Sequence, residues 1–204
     1  MQQRRRNQRG AGAHLRTELV QAALRILDRS PAAELSLRMV AREAGVAAPS
    51  VYSQFADAKT MLAEIVRECW SQLAEEMAAS ARALPADDAY TQLQAEMAAY
   101  VRYAMERPSR YQLLFALQPV ETERFPDLPG LLQPAYRNVL ACVQQLVAQG
   151  SVPPARDAES ATILIISLTH GRIALAHLAP HRAGNSAAGV AAFVLDALAR
   201  MFAR

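Results

Sequence analysis

The chain has 204 residues, 52% of them hydrophobic and 20% charged, with a formal net charge of +3 at pH 7. This composition can bury a sizeable core and excludes an intrinsically disordered chain. The two cysteines, Cys69 and Cys142, are too few for a disulfide framework, and neither lies in a Cys/His cluster with the spacing of a zinc site. We therefore expect a cytoplasmic protein that uses no metal and no cofactor.

Positive charge is concentrated in the first third of the chain. Residues 1–67 carry 11 basic and 6 acidic side chains, whereas residues 68–204 carry 11 and 13. Such an excess indicates a polyanionic partner, with a solubilising tail as the alternative. The most apolar stretch, residues 161–179, contains His170, Arg172 and His177, so we expect no membrane span.

Helical periodicity and turn residues divide the chain into about nine helices and indicate no convincing strand, which predicts an all-α fold. Residues 1–13 are basic and contain glycine, and we expect a flexible arm there. Ser36 and Asp57 are predicted N-caps, and Gly45 is a predicted C-cap. The predicted helices are Leu15–Asp28, Leu37–Ala44, Ala48–Gln54, Ala58–Ala83, Asp87–Arg107, Pro108–Leu117, Gly130–Gln149, Asp157–Leu178 and Ser186–Phe202, with a loop at Gln118–Pro129.

The segment 35–62 has the layout of a helix-turn-helix. Two short helices are joined by Ala44-Gly45-Val46, and neither is long enough to be stable alone. In this layout the second helix can enter the major groove of DNA, although many αα-corners share the pattern. The residues expected to be buried beneath the two helices are Leu37, Val40, Ala41, Val46, Val51 and Phe55.

A more specific pattern in the same segment is Ala41-x-x-Ala44-Gly45-Val46, followed by Val51-Tyr52-x-x-Phe55, Asp57 and Leu62. With the helix before it, this pattern resembles the DNA-binding domain of the TetR family of bacterial transcription regulators. The resemblance covers residues 15–65. It implies a DNA-binding domain over residues 14–65 and a helical effector-binding and dimerisation domain over residues 66–204.

A second, shorter likeness lies near the end of the chain. Thr169-His170-Gly171 resembles the subgroup of the family that has a Trp-His-Gly C-terminal domain. The tryptophan of that subgroup is replaced here, with Ile166 in its place.

The family resemblance implies a set of DNA contacts. Arg38 matches an arginine that reads guanine in some members, and a guanidinium can bind guanine O6 and N7 together. The family commonly has lysine at the position of Ala58, and here Lys59 follows one residue later, where it can still reach phosphate. The implied contact residues are Ser36, Arg38, Ala48, Pro49, Ser50, Tyr52, Gln54 and Lys59, together with Arg4, Arg5, Arg6 and Arg9 of the arm.

Each of these contacts has a plainer alternative. Arg38 and Lys59 can be solvated surface side chains, and Tyr52 can be a packing residue. Ser36 and Asp57 are helix caps first and DNA contacts second.

The later helices offer candidates for an effector site. These residues are mostly apolar with a few polar tips, which is the composition of a ligand pocket and also of an ordinary core. His170 lies in an apolar helix, where it can orient a ligand or be a buried histidine that a neighbour satisfies. The candidates are Leu93, Met97, Tyr100, Tyr111, Phe115, Tyr136, Ile166 and His170.

The final helix predicts a homodimer. Between Ala187 and Ala199 only Asp196 is charged, and a helix that is apolar on all sides must be covered on more than one side. A second copy of the last two helices would cover it, and a central core helix in a monomer is the alternative.

These features together predict a ligand-responsive DNA-binding regulator. We expect a repressor that a small, mostly apolar effector releases from a pseudo-palindromic double-stranded DNA operator. The sequence contains neither a Gly-rich phosphate loop nor a nucleophile elbow, so we expect no enzyme. A protein-binding adaptor built on a regulator fold is the alternative.

Overall fold

The computed structural model describes residues 11–115, 133–151 and 155–202. These residues form nine α-helices and one short 3-10 helix, Ala32–Glu34, and contain no strand, which confirms the all-α prediction. The helices are α1 (Ala11–Leu27), α2 (Leu37–Glu43), α3 (Ala48–Tyr52), α4 (Ala58–Arg82), α5 (Ala89–Glu106), α6 (Pro108–Phe115), α7 (Gln133–Ala148), α8 (Ala158–Leu178) and α9 (Ala187–Met201).

The helix boundaries differ from the predicted ones mainly at the start of the chain. α1 begins at Ala11, so the last residues of the predicted arm, Ala11–Ala13, are helical. Alanine has the highest helix propensity, which extends the helix beyond the apolar periodicity that predicted it. The four arm arginines and the predicted loop Gln118–Pro129 lie outside the described residues.

Side-chain caps fix the starts of most helices. The predicted caps are confirmed: Ser36 accepts from the Met39 amide (3.3 Å) and Asp57 from the Thr60 amide (2.7 Å). Asp88, Asp157 and Ser186 cap α5, α8 and α9 in the same way. Each cap satisfies one of the amides that a helix start leaves without an intrahelical partner.

The long helix α4 joins the two halves of the molecule. It contacts α1 near its start and packs most extensively against α5, with further contacts to α6 and α7. Its buried stripe includes Met61, Ile65, Cys69, Leu73 and Met77, at helical spacing. Because this stripe belongs to one continuous core, a shift of α4 would displace the residues packed near both of its ends.

The helices α8 and α9 leave a broad apolar surface exposed. By length and composition α8 could cross a membrane, with a mean hydropathy of 1.4 over its most apolar window and a third of that window buried. Its inner face packs against α5, α7 and α9. The exposed large apolar residues of the two helices are Ile163, Leu164, Leu175, Leu178 and Phe193.

Candidate DNA-binding surface and ligand cavity

The helix-turn-helix has the geometry that its sequence predicts. Gly45 lies at φ +68°, a conformation that glycine adopts without strain, and it turns the chain between α2 and α3. Of the predicted buried set, Val40, Ala41, Val51 and Phe55 are buried. Leu37 and Val46 are partly buried and pack against the same core. This packing holds α3 in a fixed orientation although it is only five residues long.

The outer face of α3 presents small and aromatic side chains to solvent. Tyr52 is 54% exposed, so about half of its surface is available for contact with another molecule. Pro49 is also exposed, while Ala48, Ser50 and Gln54 are partly buried. If α3 entered the major groove of DNA, Tyr52 and Pro49 would therefore be the first of its described residues to contact the DNA.

The predicted contacts outside α3 lie at two helix starts. Ser36 and Arg38 are both exposed at the start of α2. Lys59 is exposed in the first turn of α4, beside the Asp57 cap, whose Oδ1 also accepts from the Thr60 hydroxyl (2.8 Å). The positive end of a helix dipole favours anions, and at the start of α4 the Asp57 carboxylate already lies at this end.

Arg16 is a residue that sequence reasoning missed. Its guanidinium donates to the Gln54 carbonyl, just after α3, and to the Glu64 carboxylate (2.9 Å) on α4. It also lies 4.3 Å from the centroid of the Phe55 ring. One side chain from α1 therefore fixes the end of α3 against α4. The contacts span 38 and 48 residues of sequence, and no local pattern indicates them.

A cavity of about 330 Å³ lies between α6 and the C-terminal half of α8. It includes three of the predicted effector residues, Tyr111, Phe115 and His170. The rest of its described lining is Gln112, Ala174, His177 and Leu178. Three aromatic or imidazole rings are in mutual contact there, with 4.1 Å between the Phe115 and His170 centroids and 5.1 Å between those of Tyr111 and Phe115.

A chain of hydrogen bonds leads from the core to this cavity. The hydroxyls of Tyr100 and Tyr111 are 3.0 Å apart, and the Tyr111 hydroxyl lies 2.7 Å from Nδ1 of His170. Burial raises the pKa of Tyr100 to about 12 and raises that of Tyr111 further, so both remain neutral phenols. Burial, and then the neighbouring His177, lowers the pKa of His170 below its usual value.

The remaining predicted effector residues lie elsewhere. Leu93 and Met97 are completely buried in the closed core and are not among the described lining of the cavity. Tyr136 is close to Asp157 and Glu159 at the start of α8. Burial is the main cause that raises the pKa of its phenol, and the two carboxylates raise it further. Ile166 is partly buried against the core, one turn before His170. Helical spacing placed Ile166 and His170 on one face of α8, but of the two only His170 lies at the level of the cavity.

A second cavity, of about 420 Å³, lies along α4 and the start of α7. Its described lining includes Trp70, Ala74, Pro134 and Asn138, with Arg67 and Glu75 at its edges. The Trp70 ring packs edge-on against Phe115 (5.6 Å between centroids), so the two cavities share a wall. None of the predicted effector residues lines this cavity among the residues the structure describes.

The fold and the two sites define a helix-turn-helix DNA-binding protein with a helical second domain. Residues 19–65 match the family model for bacterial regulatory proteins of the tetR family, and residues 93–201 match that for the tetracyclin repressor-like C-terminal domain. The chain therefore belongs to the TetR family of transcription regulators. No curated protein sequence matches it significantly.

Solved structures share this fold at low sequence identity. A protein of unknown function from Rhodococcus sp. RHA1 has a TM-score of 0.75 at 20% identity, with both chains covered completely. The transcriptional regulator FadR from Bacillus subtilis, in complex with stearoyl-CoA, has a TM-score of 0.72 at 14% identity, covering 89% of this chain and 96% of its own. RolR in complex with resorcinol has a TM-score of 0.63 at 14% identity, covering 96% and 91%. These identities establish the fold alone.

Proposed function

We propose that this chain is a homodimeric transcriptional repressor that leaves its operator when a small, mostly apolar effector enters the cavity between α6 and α8. The observation that carries the proposal is the position of α6. Its residues Tyr111 and Phe115 line the cavity, while the neighbouring Arg110 contacts α1 of the DNA-binding domain. A molecule bound in the cavity would therefore press on the helix that touches the DNA-binding domain.

Support for DNA binding comes from the exposed residues of the helix-turn-helix. Arg38, Pro49 and Tyr52 project from α2 and α3, and Lys59 lies at the nearby start of α4. Arginine can read guanine, proline can touch a thymine methyl, and a tyrosine hydroxyl can bind phosphate. Two such units related by a two-fold axis would read two half-sites of a pseudo-palindrome.

Support for the dimer comes from the apolar surface of α8 and α9. Leu178 is 82% exposed, Leu175 62% and Phe193 47%, and side chains of this kind on one face mark an interaction surface. Gly171 lies on the exposed side of α8, and a Cβ there would meet no other atom within 4 Å. Because glycine costs a helix interior about 1 kcal/mol, close approach of a second copy gives this residue a purpose.

Two helices can transmit occupancy of the cavity to DNA. α4 begins beside α3 and ends in the regulatory core, and α6 lies against both α4 and α1. For release, the effector must bind more tightly to a dimer whose recognition helices are wrongly spaced for the operator. A difference of about 1–3 kcal/mol between the two states is typical of such coupling.

The comparisons support a ligand site in this domain without identifying the ligand. FadR in complex with stearoyl-CoA and RolR in complex with resorcinol show that proteins of this fold bind molecules of very different size. We therefore propose that the effector site of this chain is the cavity between α6 and α8. We also propose that the protein acts in the cytoplasm. We propose no catalytic role.

The test is to recover the bound genomic sites by footprinting and to measure affinity for one such site against a scrambled duplex. We expect preference for the recovered site and its loss in the double variant Arg38→Ala/Tyr52→Phe. Arg102→Ala is the matched control, because Arg102 is exposed on α5, away from the helix-turn-helix. Equal affinity of the parent protein for both duplexes would contradict the proposal and favour a protein-binding adaptor.

A further inference from the structure

The ring of His170 lies between a buried hydrogen-bond chain and the cavity between α6 and α8. Its Nδ1 lies 2.7 Å from the Tyr111 hydroxyl, which is 3.0 Å from the Tyr100 hydroxyl. Both tyrosines are almost completely buried, whereas His170 is partly buried and lines the cavity. The core side of the ring therefore has a fixed hydrogen-bonding environment, and the cavity side can meet a ligand.

The two hydroxyl hydrogens determine which nitrogen of His170 carries its own hydrogen. If Tyr100 donates to Tyr111 and Tyr111 donates to Nδ1, each hydroxyl hydrogen has an acceptor. If Nδ1 donates instead, one of the two hydroxyl hydrogens has no acceptor among the described residues. A buried hydroxyl without an acceptor is unfavourable, so Nδ1 accepts and the neutral ring carries its hydrogen on Nε2.

Nε2 of His170 is open to the cavity. It has no hydrogen-bond partner among the described residues, where the bond of this ring is made at Nδ1. The buried side-chain atoms that lack a partner in this part of the chain are Oε2 of Glu96, Nε of Arg110 and Nε2 of His177. Nε2 of His170 does not belong to this buried set, so it is an accessible N–H donor at the wall that His170 lines.

The rest of the lining suits a flat apolar ring. Phe115 packs against His170 (4.1 Å between centroids) and against Tyr111 (5.1 Å), and Ala174 and Leu178 extend the apolar wall. Aromatic ligands pack well against such edges and faces. The volume of about 330 Å³ is at the lower end of the range for small-molecule sites and holds a molecule of one or two rings.

The described lining contains no formally charged side chain. Burial lowers the pKa of His170 and that of His177, so both imidazoles are neutral at pH 7. A carboxylate or an ammonium ion in this cavity would meet no opposite charge from these residues. Taking such an ion out of water would then be unfavourable.

We propose that the effector is a neutral aromatic carbonyl compound, such as a ketone, whose oxygen accepts a hydrogen bond from Nε2 of His170. A carbonyl oxygen suits this donor because it accepts without bringing a hydrogen that needs an acceptor of its own. The inference rests on the proposed function, since it names the ligand class of the cavity placed there as the effector site.

The test compares three neutral probes of nearly equal size, each a benzene ring fused to a five-membered ring. 1-Indanone has a carbonyl acceptor, indole has an N–H donor, and indene has neither. We expect the full-length protein to bind 1-indanone about 10-fold more tightly than either of the others in equilibrium dialysis at neutral pH, because only 1-indanone satisfies the Nε2 donor. Equal binding of indene, tighter binding of indole, or no binding of 1-indanone would each overturn the proposal.

The position of the hydrogen on His170 can be observed without a ligand. A bare imidazole nitrogen and one that carries hydrogen have distinct ¹⁵N chemical shifts, and comparison with His170→Phe assigns the signals of this ring. We expect the bare nitrogen at Nδ1 and the N–H at Nε2 in the free protein. The opposite pattern would overturn the proposal whatever the probes show.

A first pair of variants tests His170 itself. His170→Phe keeps a ring in the wall and removes the donor, so it should abolish the preference for 1-indanone over indene. His181→Phe is the control, because His181 is exposed in the connection between α8 and α9 and does not belong to the described lining. An unchanged preference in a folded His170→Phe protein would overturn the assignment of the donor.

A second pair tests the hydrogen-bond chain. Tyr111→Phe leaves Nδ1 without its donor, so the imidazole can place its hydrogen on either nitrogen, and the preference for 1-indanone over indole should shrink several-fold. Tyr103→Phe is the matched control, because it removes another buried hydroxyl, which donates to the Cys69 carbonyl (3.2 Å) outside the described lining. Equal preferences in the two variants would show that the tyrosine chain does not set the selectivity.

The probe comparison can fail independently of the proposed function. If the protein binds its operator and a molecule without a carbonyl group releases it, the regulator stands and the ligand class is wrong. If the protein has no operator preference yet binds 1-indanone selectively, the ligand class stands and the regulatory role is wrong.

Discussion

The guanidinium of Arg110 donates to the carboxylate of Asp28, with 2.6 Å between Nη2 and Oδ2. The same side chain reaches the Leu24 carbonyl (3.4 Å) and the Gln72 side chain (2.9 Å). Arg110 therefore ties α6 to the end of α1 and to α4 at once. Because Tyr111 is its neighbour in sequence and lines the cavity, the wall of the cavity and the contact with the DNA-binding domain lie at adjacent residues.

We expect this pair to be energetically coupled. In a double-mutant cycle with Arg110→Ala and Asp28→Asn, the coupling in urea unfolding should be about 1 kcal/mol, because Arg110 is nearly buried while Asp28 is partly solvated. Arg110→Ala should also change operator affinity although it is far from DNA. The control Arg82→Ala removes an exposed ion pair with Glu75, so it should change neither the free energy of unfolding nor operator affinity. Additive unfolding energies in the cycle would show that the contact is not a coupling element.

Arg38 is expected to read a base. Arg38→Ala should weaken operator binding by about 1–3 kcal/mol and relax the preference at one base pair of each half-site, because a bidentate guanine contact is lost. Tyr52→Phe should cost less, about 0.5–1.5 kcal/mol, because it removes a single hydroxyl hydrogen bond. Fluorescence anisotropy with operator and random duplexes measures both. An equal loss on the two duplexes would make Arg38 a phosphate contact only.

The helix-turn-helix was predictable from sequence because its determinants are local. The Ser36 and Asp57 caps, the Gly45 turn and the Val51–Phe55 spacing all act within a few residues, and each appears in the structure as expected. Arg16 and Arg110 act across 38 or more residues, and no periodicity records such contacts.

The lining of the cavity between α6 and α8 was predicted less completely for a related reason. Apolar spacing identifies the inner face of a helix but does not distinguish a filled core from a cavity wall. Leu93 and Tyr111 have the same signal in the sequence, and only the packing of α6 against α8 separates them. His177 lies on the predicted face, but the burial of its Nε2 without a partner depends on side-chain packing that the sequence does not show.

Glu96 makes stability depend on pH. It is 4% exposed, its Oε2 has no partner among the described residues, and burial raises its pKa from 4.5 to about 7. The folded state therefore holds a proton that the unfolded state releases, so stability falls as the pH rises from about 4.5 to about 7 and then levels off. The charged form costs about 3 kcal/mol at high pH on this basis.

Glu96→Gln should remove this dependence. We expect the variant to be more stable than the parent by about 1–3 kcal/mol at pH 8 and nearly equal to it at pH 4.5, by urea unfolding. Glu106→Gln is the control, because Glu106 is exposed on the same helix. A parent protein whose stability relative to that of Glu96→Gln stays constant or rises between pH 5 and 7 would contradict the assignment.

The exposed face of α8 and α9 should hold the dimer together. Leu175→Glu places a charge in the proposed interface, where burying it without a partner is costly, and should give a monomer at micromolar concentration. Light scattering after size exclusion measures the mass. Val147→Glu is the control, because Val147 is an exposed apolar residue on α7, outside α8 and α9. A monomeric parent protein would remove the basis for a palindromic operator.

The arm is expected to contact DNA through Arg4, Arg5, Arg6 and Arg9, four arginines that precede α1. Arginine is favoured in a narrow minor groove, where the negative potential is strongest. Each phosphate that is neutralised contributes about 0.9 to the slope of log affinity against log salt. If two to four arginines of each arm engage, a dimer that lacks residues 2–10 should lose roughly 4–7 units of slope.

The loss of affinity should be greater at low salt than at high salt, and the only change in sequence preference should be at A·T pairs that flank the half-sites. A matched variant with the four arginines replaced by glutamine keeps the length of the arm and should behave like the deletion. An unchanged slope in both variants would show that the arm does not touch DNA, and the positive charge at this end of the chain would then serve solubility.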